Sequence, residues 1–229
     1  MDQIVLKDYR KYLRQQDIFD PRIAEELPVF IIGAGGIGGP TALLLAKLGM
    51  QKITVVDFDK VEEHNQPNQI FGQRDLGTQK TLALREIVER LTDTSVETRP
   101  LRITEETPRD FFRGIVISAV DKMSSRSIIW QKVRFNPAVR LFIDGRIGGQ
   151  VLRLYTVNPV IPDHIQFYEK TIHPDEEGVE LPCTARAVID VGFFIASFIT
   201  RAVRLHLKDD HMEKEVLFDV RNLSLDVEE

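Results

Sequence analysis

The run Phe30-Ile31-Ile32-Gly33-Ala34-Gly35-Gly36-Ile37-Gly38-Gly39 constrains what this chain can fold into more than any other stretch. An apolar segment from Pro28 to Ile32 stops at Gly33, and small apolar residues at helical spacing follow over 37–48 and end at Gly49. Strand, glycine turn and helix in that order let backbone N–H groups approach a phosphate at the positive end of the helix. Residues 53–56 read as the next buried strand and end on Asp57. That places a carboxylate about twenty residues beyond Gly38, where ribose hydroxyls donate hydrogen bonds. Gly33, Gly35, Gly36, Gly38 and Asp57 therefore predict a nucleotide site rather than a packing turn. The glycine fingerprint alone does not separate NAD from ATP.

Further along, 78–92 and 124–135 have helical spacing, while 96–102, 115–120, 140–143 and 151–157 read as strands. Such alternation predicts an α/β fold, a Rossmann-like, doubly wound and mostly parallel sheet. A helix over 185–207 and a strand over 216–220 form a C-terminal extension. No repeat or Gly/Ser linker divides the 229 residues, so a single domain is expected. Residues 1–20 are amphipathic and predict an N-terminal helix. Residues 158–182 hold Pro159, Pro162, Pro174 and Pro182 among many charges, and predict a long crossover loop.

The net charge of −5 argues against nucleic acid, whose phosphates reward a basic face. No apolar run is long enough to span a bilayer, and the start of the chain is charged, so a cytoplasmic protein without membrane contact is expected. The single cysteine, Cys183, excludes an intrachain disulfide and a zinc site built on several thiolates.

Three later features favour ATP over NAD. Asp57-Phe58-Asp59 is followed by the polar pair Asn65 and Gln69. Lys80 opens a helix after Leu76-Gly77, where an ammonium can hold a polyphosphate. Asp121 follows the strand 115–120, at the edge facing the crevice, where it can reach a magnesium ion bridging phosphates. Each has a plainer reading: Lys80 as a solvated surface charge, Asp121 as a cap of the next helix. The order and spacing carry the weight.

With these residues in place the chain resembles the ThiF/MoeB/HesA family, bacterial relatives of the enzymes that activate ubiquitin-like proteins. The resemblance covers about Tyr9 to Arg204. It rests on Tyr12-Leu13-Arg14-Gln15, the glycine loop, Val56-Asp57-Phe58-Asp59, Asn65 with Gln69, Leu76-Gly77 with Lys80, and Asp121 with Arg126. It implies ATP along the glycine loop with its ribose on Asp57, Lys80 on the phosphates, and Mg2+ on Asp121. Arg14 would reach across a homodimer into the partner's site; its plainer reading is an exposed residue on an amphipathic helix. The implied reaction is adenylation of the C-terminal carboxylate of a ubiquitin-like or sulfur-carrier protein.

Two departures stand out. Asn68, in Asn65-Gln66-Pro67-Asn68-Gln69, occupies the place of the family's phosphate-binding arginine, with Arg74, Arg126 and Arg146 as candidates to supply the charge. The paired Cys-x-x-Cys motifs of many members are absent, so no structural zinc is expected. Cys183, one turn before Arg186, reads either as a thiolate favoured by a helix dipole and a cation, for which the resemblance implies a thioester with the activated carrier, or as a buried packing residue. The stretch 145–149, with Arg146 and Gly148, is a candidate lining for the arriving tail. The alternatives to carrier adenylation are a nucleotide-binding scaffold without turnover, adenylation of a small-molecule or RNA-linked carboxylate, and an NAD-dependent oxidoreductase. In the last, Lys80 and Asp121 would be idle.

Overall fold

The apolar residues of Val29–Ile32 (β1) and Ile53–Val56 (β2) are buried along their whole length, the pattern of strands covered on both faces. The computed structural model of the protein describes residues 9–175 and 188–228. Within them β3 (Glu97–Arg99), β4 (Gly114–Ser118), β5 (Val139–Gly148), β6 (Val151–Val157), β7 (Glu215–Asp219) and β8 (Ser224–Glu228) complete one sheet. Its order is β3-β2-β1-β4-β5-β6-β7-β8. β1 to β5 run parallel, and β6, β7 and β8 extend the sheet antiparallel.

Helices α1 (Gly38–Leu48), α2 (Lys80–Leu91) and α5 (Ile189–Leu207) bury Leu45, Leu84 and Ile195 against one face of the sheet. Helices α3 (Met123–Val133) and α4 (Pro162–Glu169) cover the other, around Trp130, Phe142, Tyr155 and Tyr168. The Trp130 and Tyr168 rings meet edge to face at 4.7 Å, and Tyr168 meets Phe142 at 5.3 Å. Such pairs contribute about 0.5–1.5 kcal/mol each beyond their burial. The chain winds outward from β1 to β3, then returns to β4 on the other side of β1. A crevice therefore opens beyond the carboxyl ends of β1 and β4, where ligands bind in open α/β sheets.

The structure corrects two expectations. Described residues 9–18, expected as helix, form a 3-10 turn at Tyr9–Tyr12 and further turns. The Gln15 side chain donates to the carbonyl of Leu48 at 2.8 Å, and Phe19 is buried, so tertiary contacts bend the segment where helical periodicity would run on. The expected loop 158–182 contains α4. Pro162 opens that helix, where its fixed φ and missing N–H cost nothing, and Ile165 and Tyr168, three apart, supply the buried stripe. β8 was not foreseen: all five of its residues are exposed. Among the described residues no helix is long and apolar enough to cross a membrane.

Candidate functional site

The glycine loop turns between β1 and α1. Gly33 has φ of 100°, which L side chains rarely adopt, and a Cβ there would lie 2.5 Å from the carbonyl oxygen of Ala119. At Gly38 a Cβ would run into the carbonyl of Gly33. The loop therefore holds the first turn of α1 hard against β1 and leaves its backbone open toward the crevice.

Asp57 follows β2 and is anchored to the loop: Oδ2 accepts from the amide of Ala34 at 2.7 Å and Oδ1 from that of Asp59 at 2.8 Å. Burial pushes its carboxyl above the ordinary aspartate value, and the two backbone donors with the nearby Lys80 ammonium only partly offset this. Lys80 begins α2. Its amide donates to the carbonyl of Asp59 at 2.9 Å and its ammonium lies 3.3 Å from Oδ2 of the same residue. With its side chain 10% exposed, Lys80 is not a solvated surface charge.

Asp121 sits beyond β4, exposed, on the loop leading to α3. It does not cap that helix, since the amide of Ser124 is satisfied by Oδ1 of Asp175 at 3.0 Å. Its carboxylate is left facing the crevice. A cleft of about 320 Å3 gathers Gly33, Asp57, Asp59 and Asp121 on its walls. Its apolar side is Leu101, Ile103, Val120 and Ile129, with the guanidinium of Arg102 stacked 3.7 Å over the ring of Phe58. These apolar and stacking residues were not singled out from the sequence. The signal that finds them is positional: they stand just past the carboxyl ends of β2, β3 and β4 or on α3 facing those ends.

The remaining sequence candidates are placed as follows. The Gln69 amide lies beside Gly35, and the backbone carbonyl of Asn68 beside Gly36. Oδ1 of Asn68 and Oε1 of Gln69 are buried without a hydrogen-bond partner among the described residues, as groups awaiting a donor are. Asn65 is buried and accepts from the amide of Glu62 at 2.9 Å, capping its own turn. Of the three arginines that could replace the charge absent at Asn68, two are committed elsewhere. Arg126 donates to Asp144 at 2.5 Å and to the carbonyl of Val120 at 2.6 Å; Arg146 donates to Asp144 at 2.7 Å and to Thr171 at 2.9 Å. Asp144 is fully buried and also accepts from the Tyr168 hydroxyl at 3.0 Å. Arg74 remains exposed on the turn Gln73–Asp75. Arg14 is exposed beside the carboxyl end of α1, away from the cleft. Cys183 and Arg186 lie outside the described residues.

The cradle fits a nucleotide: open glycine backbone, a buried ribose-type acceptor, a shielded ammonium and unpaired amide oxygens. Asp121 fits Mg2+ as a partial ligand, because that ion is held by one or two carboxylates with phosphates and water rather than by an all-protein cage. No group of three or more metal-binding side chains occurs among the described residues.

The model of the ThiF family matches residues 15–224. A probable adenylyltransferase/sulfurtransferase MoeZ of Mycobacterium tuberculosis is 32% identical over 105 residues, 44% of this chain and 27% of that protein. A sulfur carrier protein adenylyltransferase of Thermus thermophilus is 30% identical over 105 residues, 44% of this chain and 39% of that protein. The chain thus matches less than half the length of these relatives. The crystal structure of Escherichia coli MccB with ATP superposes with a TM-score of 0.69 at 18% identity, covering 91% of this chain and 65% of that one, and shares its fold.

Proposed function

The chain belongs to the ThiF family, and on that premise we propose that it adenylates the C-terminal carboxylate of a small ubiquitin-like or sulfur-carrier protein. The carboxylate oxygen attacks the α-phosphorus of ATP, the bond to the β-phosphate oxygen breaks, and acyl-adenylate and pyrophosphate result. One observation carries this reading: Gly33 of the glycine loop, Asp57, Asp59 and Asp121 line one cleft at the switch point of the sheet, and the Lys80 ammonium lies 3.3 Å from Asp59. A hydride-transferring enzyme has no use for a shielded ammonium and a free carboxylate at the phosphate end.

In this scheme Asp57 accepts from the ribose hydroxyls. The loop amides and Lys80 hold the phosphates, and Asn68 and Gln69 accept from donors on the nucleotide. Mg2+ on Asp121 would neutralise charge on the pyrophosphate as it leaves. The protein's contribution is alignment and charge neutralisation, with little covalent help required. Arg74 is the candidate for the cation that Asn68 does not provide. Arg14 is assigned to the partner's site in a homodimer working in the cytoplasm. Cys183 is assigned as acceptor of the activated tail in a thioester.

The test is ATP–pyrophosphate exchange in the presence of candidate carriers. Carrier-dependent exchange is expected, falling at least about a hundredfold in Asp121→Ala as charge stabilisation at the phosphates is lost. Unchanged exchange in that variant sinks the magnesium role. A second reading, nucleotide binding without turnover, is favoured by the neutral amide at Asn68; tight ATP binding with no exchange for any carrier would establish it.

A further inference from the structure

A second cavity, of about 600 Å3, opens between the end of α4 and the face of β5, β6 and β7. Much of its wall is apolar, with Tyr155, Phe167, Ile147 and Val151. Its charge is lopsided. Among the described residues, Arg146, Arg153 and Lys170 line it, against Glu215 as the single carboxylate. Glu215 accepts from Arg153 at 3.0 Å, yet the Arg153 side chain stays 50% exposed, so its guanidinium retains open donors. Lys170 is exposed and makes no ion pair among the described residues. Arg146 and Arg126 share the one carboxylate of Asp144, which leaves a surplus positive charge in the wall. The neighbouring Tyr168 hydroxyl does not cancel it, because burial and Asp144 hold that group well above the ordinary tyrosine pKa.

This cationic cavity lies in a chain whose net charge is −5, so it runs against the sign of the molecule and favours an acidic ligand locally. It also adjoins the nucleotide cleft. Lys122 lines the cleft and the next residue, Met123, lines the cavity. Consecutive Cα atoms are about 3.8 Å apart, so an extended tail lying through both would place its terminal carboxylate by Asp121 and a side chain a few residues upstream in the cavity.

We propose that this cavity is a specificity pocket for the carrier's C-terminal segment, taking an acidic side chain and a neighbouring apolar one a few residues before the terminal carboxylate. Carboxylate recognition falls to Arg153 and Lys170, whose N–H groups form charge-assisted hydrogen bonds, while Tyr155 and Phe167 cover the apolar neighbour. The pocket needs the adenylation reading only for the identity of its partner.

The test uses fluorescent decapeptides ending in Gly-Gly. A parent carries alanine at the third to sixth positions from the end, and variants carry one Glu or one Lys there. With ATP present at low salt, a Glu peptide is expected to bind about tenfold tighter than the parent, an advantage that shrinks as salt screens the charges. In the double variant Arg153→Glu/Lys170→Glu the advantage disappears and the corresponding Lys peptide gains it, while ATP affinity is unchanged. Both side chains are exposed, and a thermal melt verifies the fold. Equal binding of Glu and Ala peptides, or a Glu advantage that survives the charge reversal, overturns the pocket. Pyrophosphate exchange keeps the two readings apart. Exchange with every peptide regardless of charge leaves adenylation standing and removes the pocket; a Glu preference without exchange does the reverse.

Discussion

Two ion-paired aspartates in this protein, Asp144 and Asp59, look alike on paper and stand in opposite surroundings. Asp144 is fully buried and, among the described residues, is the only carboxylate bonded by Arg126, whose side chain is 4% exposed, and by Arg146. Lys80 instead faces Asp59, whose side chain is 49% exposed and stands in the nucleotide cleft. Replacing Asp144 by Asn leaves two guanidiniums facing each other with their compensation gone, a loss of about 3–5 kcal/mol. Removing Lys80 breaks a pair whose partner is half in water, so stability should move by no more than about 1 kcal/mol. Urea denaturation of Asp144→Asn and Lys80→Met checks both. ATP binding is expected to fall at least about tenfold in Lys80→Met, the loss of one charged phosphate contact. An Asp144→Asn protein as stable as wild type would show that the buried cluster carries no structural charge. A Lys80→Met protein that binds ATP normally would take Lys80 out of the site.

At the level of elements, helix α5 shows what the chain's own pattern discloses and what it withholds. Its periodicity is plain in the sequence; its contact with the glycine loop is not. A Cβ on Gly192 would run into the backbone carbonyl of Gly36, so α5 braces the glycine loop through a missing side chain. Helix propensity alone predicts that Gly192→Ala stabilises by about 1 kcal/mol. The contact reverses the sign: overpacking against backbone costs about 1–3 kcal/mol, and the displaced Gly36 should weaken ATP binding about tenfold. Calorimetry and a nucleotide titration decide, and a stabilised variant with intact affinity refutes the brace.

The same contrast runs through the fold. β1, β2 and β4 were legible because continuous apolar runs bounded by glycine or aspartate admit few alternatives. α4 was hidden by prolines that break helices in their interior but start them at N1, and β8 by its exposure, which leaves little hydrophobic signal. Gly33, Asp57, Asp59 and Asp121 were legible as one site because a parallel sheet brings its strand ends together. Leu101, Arg102 and Ile103 were not, since their meaning comes only from where β3 ends. Asp144 is the instructive miss. An acid within an apolar strand demands buried partners; Arg146 stands two residues on in the same strand, but Arg126 comes from α3 and Tyr168 from α4, and only the fold brings those two to it.

Across the whole molecule, the placement of Arg14 decides how many chains make one working site. Gln15 binds the carbonyl of Leu48, and Gly49 packs on Tyr12, so this segment sits at the carboxyl end of α1. The glycine loop is at the amino end, and 11 helical residues at about 1.5 Å each put roughly 16 Å between them. An arginine side chain does not span that distance around a helix, so Arg14 cannot complete the cleft of its own chain from where it stands. If Arg14 contributes to catalysis it does so in a second copy, and the arrangement has a numerical signature. Arg14→Ala alone should lower exchange at least about a hundredfold, as removal of an arginine finger does. Asp121→Ala should be similarly impaired. Mixed and reassorted, the two variants form a heterodimer in which one cleft has Asp121 from its own chain and Arg14 from the other. Random pairing makes half the dimers mixed, each with one sound site, so activity should recover to about a quarter of wild type. Recovery to that level requires a shared site in a dimer of two-fold symmetry. No recovery, with mixed dimers verified by mass spectrometry, would return Arg14 to the protein surface and make each cleft the work of a single chain.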